Sequence, residues 1–245
     1  MLAEERLKII SDFVNDRGSA TITDLTTITS SSESTIRRDL NYLSREGKIF
    51  KVHGGAVSKK LDTKDEQVDK RRDKYAEEKE KIATYASTLI EDDDFVYLDS
   101  GSTVELMVKN IEATHAIFVT NSIFNIKALA KKNLKAFLLG GEYKKSTDAI
   151  VGEKAILELS TYNFTKGFFG TNGIDEKRGF TTPEMKEAMI KELAMKNTSE
   201  CFILSDASKF GKISAIKFSD FNSATIITNK DRENEYLKYK NVMEV

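Results

Sequence analysis

The chain has 245 residues, with 39 acidic and 38 basic side chains, a formal net charge of -1 and a hydrophobic fraction of 40%. That size and apolar content suit one large domain, or a small one joined to a larger, with a substantial core. Near neutrality argues against binding nucleic acid with the whole surface, and the lack of an apolar run near 18 residues argues against a membrane span.

Three helices are expected in the first sixty residues. The first, over about 3–15, carries Leu7, Ile10, Phe13 and Val14 at amphipathic spacing, with Gly18 as its stop. The segment MLAEERLKIISDF has no cationic start followed by an apolar stretch and a cleavage site, so no signal peptide is expected. A short second helix over about 23–28 turns Ile22, Leu25 and Ile28 inward, with Thr21 or Thr23 as N-cap. A polar turn over 29–32 leads to a third helix that begins near Glu33, is capped by Ser31 or Ser32, and ends at Gly47.

That third helix opens with SSESTIRRDL. Ser34, Arg37, Arg38 and Asn41 share one face at i, i+3, i+4 and i+7, while Ile36, Leu40 and Leu43 take the opposite one. KIFKVHGGAV follows as two short extended pieces around a Gly54-Gly55 bend. Helix, short helix, turn, polar-faced helix and hairpin describe a winged helix-turn-helix. On that reading Thr21, Thr23, Ser32, Ser34, Thr35 and Asn41 offer contacts to phosphates or base edges. Arg37 and Arg38 suit guanine O6/N7 or phosphate, and Lys48, Lys51 and His53 place donors on the wing. A helical bundle with a solvated polar face would also show an arginine pair, so the pair alone does not decide. The combination is more specific. Arg6, Ile10 and Val14, then Ser32-x-x-Thr35-Ile36-Arg37-Arg38-Asp39-Leu40, with VHGGA in the wing, resemble the signature of the DeoR family of bacterial repressors.

The expected DNA-binding domain covers 3–58, and 59–74 is expected as a hinge because it mixes both charge signs with few apolar side chains. A helix over about 75–90 then opens a domain running to 245. There the chain repeats one grammar: FVYLDSGST, AIFVTNS, KAFLLGG, KGFFGTNG, CFILSDASK and ATIITN each end an apolar run in small polar residues. Such runs suit strands buried on both faces, and helices are expected over about 103–112, 123–132, 152–160 and 183–197. The last of these reads Thr182 as N-cap and Pro183 as first helical residue. The expected fold class is α/β, a mainly parallel sheet behind a winged helix-turn-helix. Cys201, in CFIL, cannot form an internal disulfide; it reads as a core thiol and fits a reducing cytoplasm. Two histidines and one cysteine leave no metal-ligand cluster, and no cofactor is expected.

In parallel sheets ligands sit beyond the carboxyl ends of the strands. Here those ends carry Asp99-Ser100-Gly101-Ser102-Thr103, Thr120-Asn121-Ser122, Gly140-Gly141, Gly170-Thr171-Asn172-Gly173 and Asp206-Ala207-Ser208-Lys209. Gly101, Ser102 and Thr103 precede a helix, where free N–H groups and the dipole favour an anion. Lys209 would add a point charge and Asp99 an acceptor for a sugar hydroxyl, although Gly, Ser and Thr are ordinary loop residues in any one such loop. DSGST, VTNS, LLGGEY, GFFGTNG and SDASKFGK resemble the effector domain of DeoR-type repressors. The resemblance implies a fold similar to ribose-phosphate isomerase and glucosamine-phosphate deaminase, and a phosphosugar effector. It implies phosphate binding by Gly101, Ser102, Thr103 and Lys209, and sugar contacts from Asp99, Asn121, Gly141, Thr171, Asn172 and Glu187.

STDAIVG (146–152) and FTTPEMKEAMIK (180–191) look closest to the fructose-operon repressor branch, whose effector is fructose 1-phosphate. The expected protein is a cytoplasmic repressor of a sugar-utilisation operon, with operator DNA, a phosphosugar and its own copies as partners, in a dimer or tetramer away from membranes. The alternative is a sugar-phosphate isomerase or deaminase carrying an accessory helix-turn-helix. Asp99, Asp206 and Glu187 would then serve as acid and base, since neither His53 nor His115 falls in a strand-end loop.

Overall fold

The computed structural model describes residues 2–17, 19–52, 54–58, 68–230 and 235–245. Gly18, His53 and the part of the expected hinge over 59–67 lie outside the described residues. The chain divides into two compact units, 1–62 and 63–245.

The first unit runs α1 Ala3–Arg17, β1 Ser19–Thr21, α2 Ile22–Thr29, α3 Glu33–Arg45, β2 Ile49–Val52 and β3 Gly55–Ser58. The three strands form an antiparallel sheet in the order β1-β3-β2. Three residues carry no periodicity, so nothing in the local sequence marks strand β1; it is defined by its pairing with β3. The approach is so close that a Cβ on Gly55 would lie 2.1 Å from the Ala20 carbonyl oxygen, so only glycine fits. Ile10, Val14, Leu25, Ile36, Leu40, Leu43 and Ile49 close the core. Ile28, expected inside, is only partly buried at its edge.

Helix α2 begins one residue early because Thr21 completes a capping box with Asp24, each side chain accepting the other's N–H at 3.0 Å. Helix α3 starts at Glu33 with Ser32 as N-cap, and stops at Arg45, short of the expected Gly47. Across the unit, the Arg6 guanidinium grips the Asp39 carboxylate at 2.6 and 3.3 Å and locks α1 to α3.

The second unit runs α4 Val68–Asp73, α5 Ala76–Ser87, β4 Phe95–Leu98, α6 Ser102–Asn110, β5 Ile117–Thr120, α7 Ile123–Lys131, β6 Ala136–Leu138, β7 Glu142–Lys144, β8 Ala149–Val151, α8 Glu153–Leu159, β9 Phe164–Phe169, β10 Gly173–Asp175, β11 Gly179–Thr182, α9 Met185–Lys196, β12 Thr198–Leu204, β13 Ile216–Ser219, β14 Thr225–Thr228 and β15 Val242–Glu244. The six apolar runs all become strands of one parallel sheet, in the order β15-β14-β12-β9-β4-β5-β6. One face packs on α5 and α6 through Ile82, Val104, Met107 and Phe118, the other on α8 and α9 through Tyr97, Phe164, Phe169 and Ile190.

Two small antiparallel pieces, β7-β8 and β10-β11-β13, add walls above the strand ends. Thr182 is the last residue of β11, not a helix cap. Its hydroxyl meets the Asn172 amide oxygen at 3.2 Å, and Glu184 caps α9 by accepting from the Glu187 N–H. Within the stretch expected as hinge, 68–73 forms helix α4 in the larger unit.

Candidate functional site

The polar face of α3 stands as its spacing predicts. Ser34, Arg37, Arg38 and Asn41 are exposed, and Ile36, Leu40 and Leu43 are buried. Arg37 donates through Nε to Glu33 at 3.0 Å, one turn back, while Arg38 makes no ion pair among the described residues. Lys51 on the wing strand β2 donates to the Asn41 amide oxygen at 2.8 Å, tying wing to helix. Ser32 holds the helix start, its oxygen 3.0 Å from Ser34 Oγ and 2.9 Å from Thr35 Oγ1. Thr21 is the α2 cap, so its hydroxyl already has a structural task, whereas Thr23 is exposed. Removing either arginine head should weaken operator binding without touching the core. Arg37→Ala and Arg38→Ala are each expected to cost about 1–3 kcal/mol if they read guanine, relaxing preference at one base pair. A gel shift on operator and scrambled DNA checks this; unchanged affinity in both variants would remove the arginines from the interface.

In the second unit a solvent-open pocket lies at the carboxyl end of the sheet. Ser100, Gly101, Ser102 and Thr103 line one side, at the start of α6. Gly101 is the N-cap and supplies no side chain, so the first turn of α6 has no side-chain cap. Thr171, Asn172 and Glu187 line another side, and Asp206 and Lys209 a third. Asp206 caps a single 3-10 turn by accepting from the Ser208 N–H at 3.0 Å, which presents Lys209. Lys209 makes no ion pair among the described residues.

Three expected site residues stand elsewhere. Asn121 is buried behind the loop, where its oxygen accepts the Ser100 N–H at 3.0 Å and its amide donates to the Ile150 carbonyl at 3.3 Å. It shapes the loop and does not line the pocket. Gly141 is exposed outside the pocket, and a Cβ there would lie 2.7 Å from the Val151 carbonyl oxygen. Asp99 is fully buried beneath the loops, not on the lining: its Oδ2 accepts from the Gly170 N–H at 3.0 Å and from Lys191 Nζ, and Oδ1 has no hydrogen-bond partner among the described residues. Burial pushes the Asp99 carboxyl up, although Lys191 and the Gly170 N–H pull it down. Glu187 is 5% exposed; burial raises it, but Lys191, Lys144 and the Thr147 hydroxyl outweigh burial and hold it below the ordinary carboxylate range. Its Oε1 accepts from Thr147 at 2.6 Å and from Lys144 at 2.9 Å.

Four cationic lining residues went unassigned in the sequence. Arg71 and Lys74 fall in the stretch expected as hinge, Lys79 in the first turn of α5 and Lys191 on α9. Lys191 is paired with Asp99 beneath the lining; Lys209 and the other three set four cations against Glu187 and Asp206 around the pocket, a balance that suits an anionic ligand.

A winged helix-turn-helix joined to a parallel-sheet unit with a basic strand-end pocket defines a ligand-responsive DNA-binding regulator. The family models agree: residues 6–61 match the DeoR-like helix-turn-helix domain and residues 74–230 the DeoR C terminal sensor domain. The chain belongs to the DeoR family and is a DNA-binding transcriptional repressor of sugar metabolism, not an enzyme. It is 38% identical to the uncharacterized HTH-type transcriptional regulator FruR of Bacillus subtilis, over 98% of this chain and 96% of that protein. It is 31% identical to the lactose phosphotransferase system repressor of Streptococcus mutans, over 97% and 96% of the two chains. Among solved structures, a ribose 5-phosphate isomerase from Methanocaldococcus jannaschii matches at 17% identity and a TM-score of 0.40, covering 54% of this chain and 53% of that one. No helix among the described residues is long and apolar enough to cross a membrane.

Proposed function

We propose that the chain represses a fructose-utilisation operon in the bacterial cytoplasm and leaves its operator when fructose 1-phosphate fills the pocket. The observation that carries an anionic effector is that the start of α6, which has no side-chain cap, and Lys209 line the same pocket. The phosphate would rest on the N–H groups of Gly101 to Thr103 with Lys209 balancing its charge. The sugar hydroxyls would meet Thr171, Asn172 and Glu187, while Asp99 and Asn121 hold the loops in place. The choice of fructose rests on the 38% identity to FruR, against 31–33% for the relatives named as lactose phosphotransferase system repressors. The DNA-facing residues would be Thr23, Ser32, Ser34, Thr35, Arg37, Arg38, Asn41 and Lys51, with 3–58 as the DNA-binding part.

The test is to titrate fructose 1-phosphate, fructose 6-phosphate and glucose 6-phosphate into the protein bound to the DNA upstream of its own operon, and to follow release by fluorescence anisotropy. Release by fructose 1-phosphate at the lowest concentration supports the reading. Release by another sugar phosphate alone would move the protein to another branch, and release by none would overturn a phosphosugar effector. One winged unit presents few contacts, so two or more copies would read repeated half-sites. Light scattering that gave a monomer at micromolar concentration, with and without DNA, would contradict that assembly.

A further inference from the structure

Helix α4 is short and lies in the stretch whose charge pattern predicts a hinge, yet it is fastened at both ends. At its start the Val68 N–H donates to the Ser146 carbonyl at 3.0 Å, and the Val68 side chain is buried. Ser146 adjoins Thr147, whose hydroxyl holds Glu187 in the pocket wall. Near its end, Arg72 donates to both oxygens of Glu105, at 2.8 and 3.2 Å, with its guanidinium carbon 5.0 Å from the centre of the Phe124 ring. Glu105 is 3% exposed and sits on α6, where its N–H donates to the Gly101 carbonyl at 2.8 Å. The helix therefore bridges the two walls of the pocket: the anion-binding end of α6 and the turn that carries Thr147.

The same helix brings Arg71 to the pocket lining, with Lys74 just beyond it, and Lys79 of α5 donates to the Arg71 carbonyl. Arg71 belongs to α4 and lines the pocket, so an anion held there attracts α4 toward it. In the other direction along the chain, only residues 59–67 separate α4 from the wing strand that ends at Ser58.

We propose that α4 is the strap through which an occupied pocket acts on the DNA-binding unit, and that Arg72, which lines no part of the pocket, is the positioning residue that makes it one. The proposal rests on the phosphosugar reading above. Ligand binding tightens α4 against α6 and the 145–148 turn, and the altered seat of α4 shifts the equilibrium of the DNA-binding unit. Without the Arg72–Glu105 link, the pocket still fills but the operator is no longer released.

The experiment uses the full chain with Arg72→Met and Glu105→Gln combined, which removes both charges of the pair, and Arg72→Lys as a charge-keeping control. Fructose 1-phosphate affinity is read by calorimetry, and operator affinity by anisotropy with and without the sugar phosphate. The double variant should bind the sugar phosphate within about threefold of wild type. The wild-type loss of operator affinity, about fivefold or more for a coupled site, should shrink below about twofold, and Arg72→Lys should recover part of it. A double variant released as fully as wild type would overturn the strap while leaving the effector reading intact. A double variant that no longer binds fructose 1-phosphate would make Arg72 part of the ligand site and also overturn it. If fructose 1-phosphate, fructose 6-phosphate and glucose 6-phosphate all fail to release wild type, the effector reading falls and the strap falls with it.

Discussion

Lys191→Met should destabilise the sensor unit by about 3–5 kcal/mol, the largest single effect expected anywhere in the chain. Lys191 is 4% exposed, Asp99 is fully buried, and the two form an ion pair beneath the pocket. Lys191 also donates to the Gly170 carbonyl at 3.1 Å, while Asp99 accepts the Gly170 N–H, so one side chain from α9 fastens the ends of β4 and β9 together. Removing the ammonium strands a carboxylate in a site whose burial already raises its pKa. The deficit carries a pH signature. A carboxyl whose folded pKa lies above its unfolded value favours the folded state at low pH and loses that contribution as pH rises. The variant should therefore lie closest to wild type near pH 4 and fall furthest behind at neutral pH. Adding Asp99→Asn should restore most of the loss at pH 7, because it removes the charge left behind. Urea unfolding of the three proteins at both pH values measures this; a single variant within about 1 kcal/mol of wild type at pH 7 would mean that the pair does not hold the strand ends.

That ion pair also shows where reading a sequence stops. Local patterns were legible: the i, i+3, i+4, i+7 spacing of α3 laid out its exposed and buried faces, and six apolar runs became six parallel strands. Loops beyond those strands were legible as a group, because parallel strands deliver their carboxyl ends to one edge. What could not be read is which loop residue faces the pocket and which stands behind it. Asn121 and Ser102 look alike as small polar residues after a strand, yet Asn121 is turned inward to hold the Ser100 N–H. Lys191 and Asp99 lie far apart in the chain, and nothing local marks a helical lysine as an internal counter-ion. Helix α4 was lost for the opposite reason: its charges looked like those of a solvated linker, and only the fold supplies Glu105 and Ser146 as partners for it.

Lys209→Ala should weaken effector binding by roughly 1.5–3 kcal/mol, the range for a hydrogen bond to a charged group, with little change in operator affinity. Lys209 stands at the end of the 3-10 turn capped by Asp206, partly exposed, lining the pocket with Gly101 to Thr103. Its ammonium makes no ion pair among the described residues, so its removal leaves no carboxylate stranded, and folding stability should stay within about 0.5 kcal/mol of wild type. The contrast with Lys191 is the point of the pair: one lysine lines the pocket with its charge uncommitted, the other is spent on the fold. At 25 °C the expected loss is about 10- to 150-fold in the sugar phosphate concentration needed for half-release. In cells the variant should repress normally and stay on its operator at inducer levels that free the wild type. The decisive measurement is anisotropy of labelled operator during titration with fructose 1-phosphate, beside the unliganded operator affinity. Equal half-release points for variant and wild type would take Lys209 out of the effector site. A parallel loss of unliganded operator affinity would instead mean that the strand-end loop supports DNA binding itself.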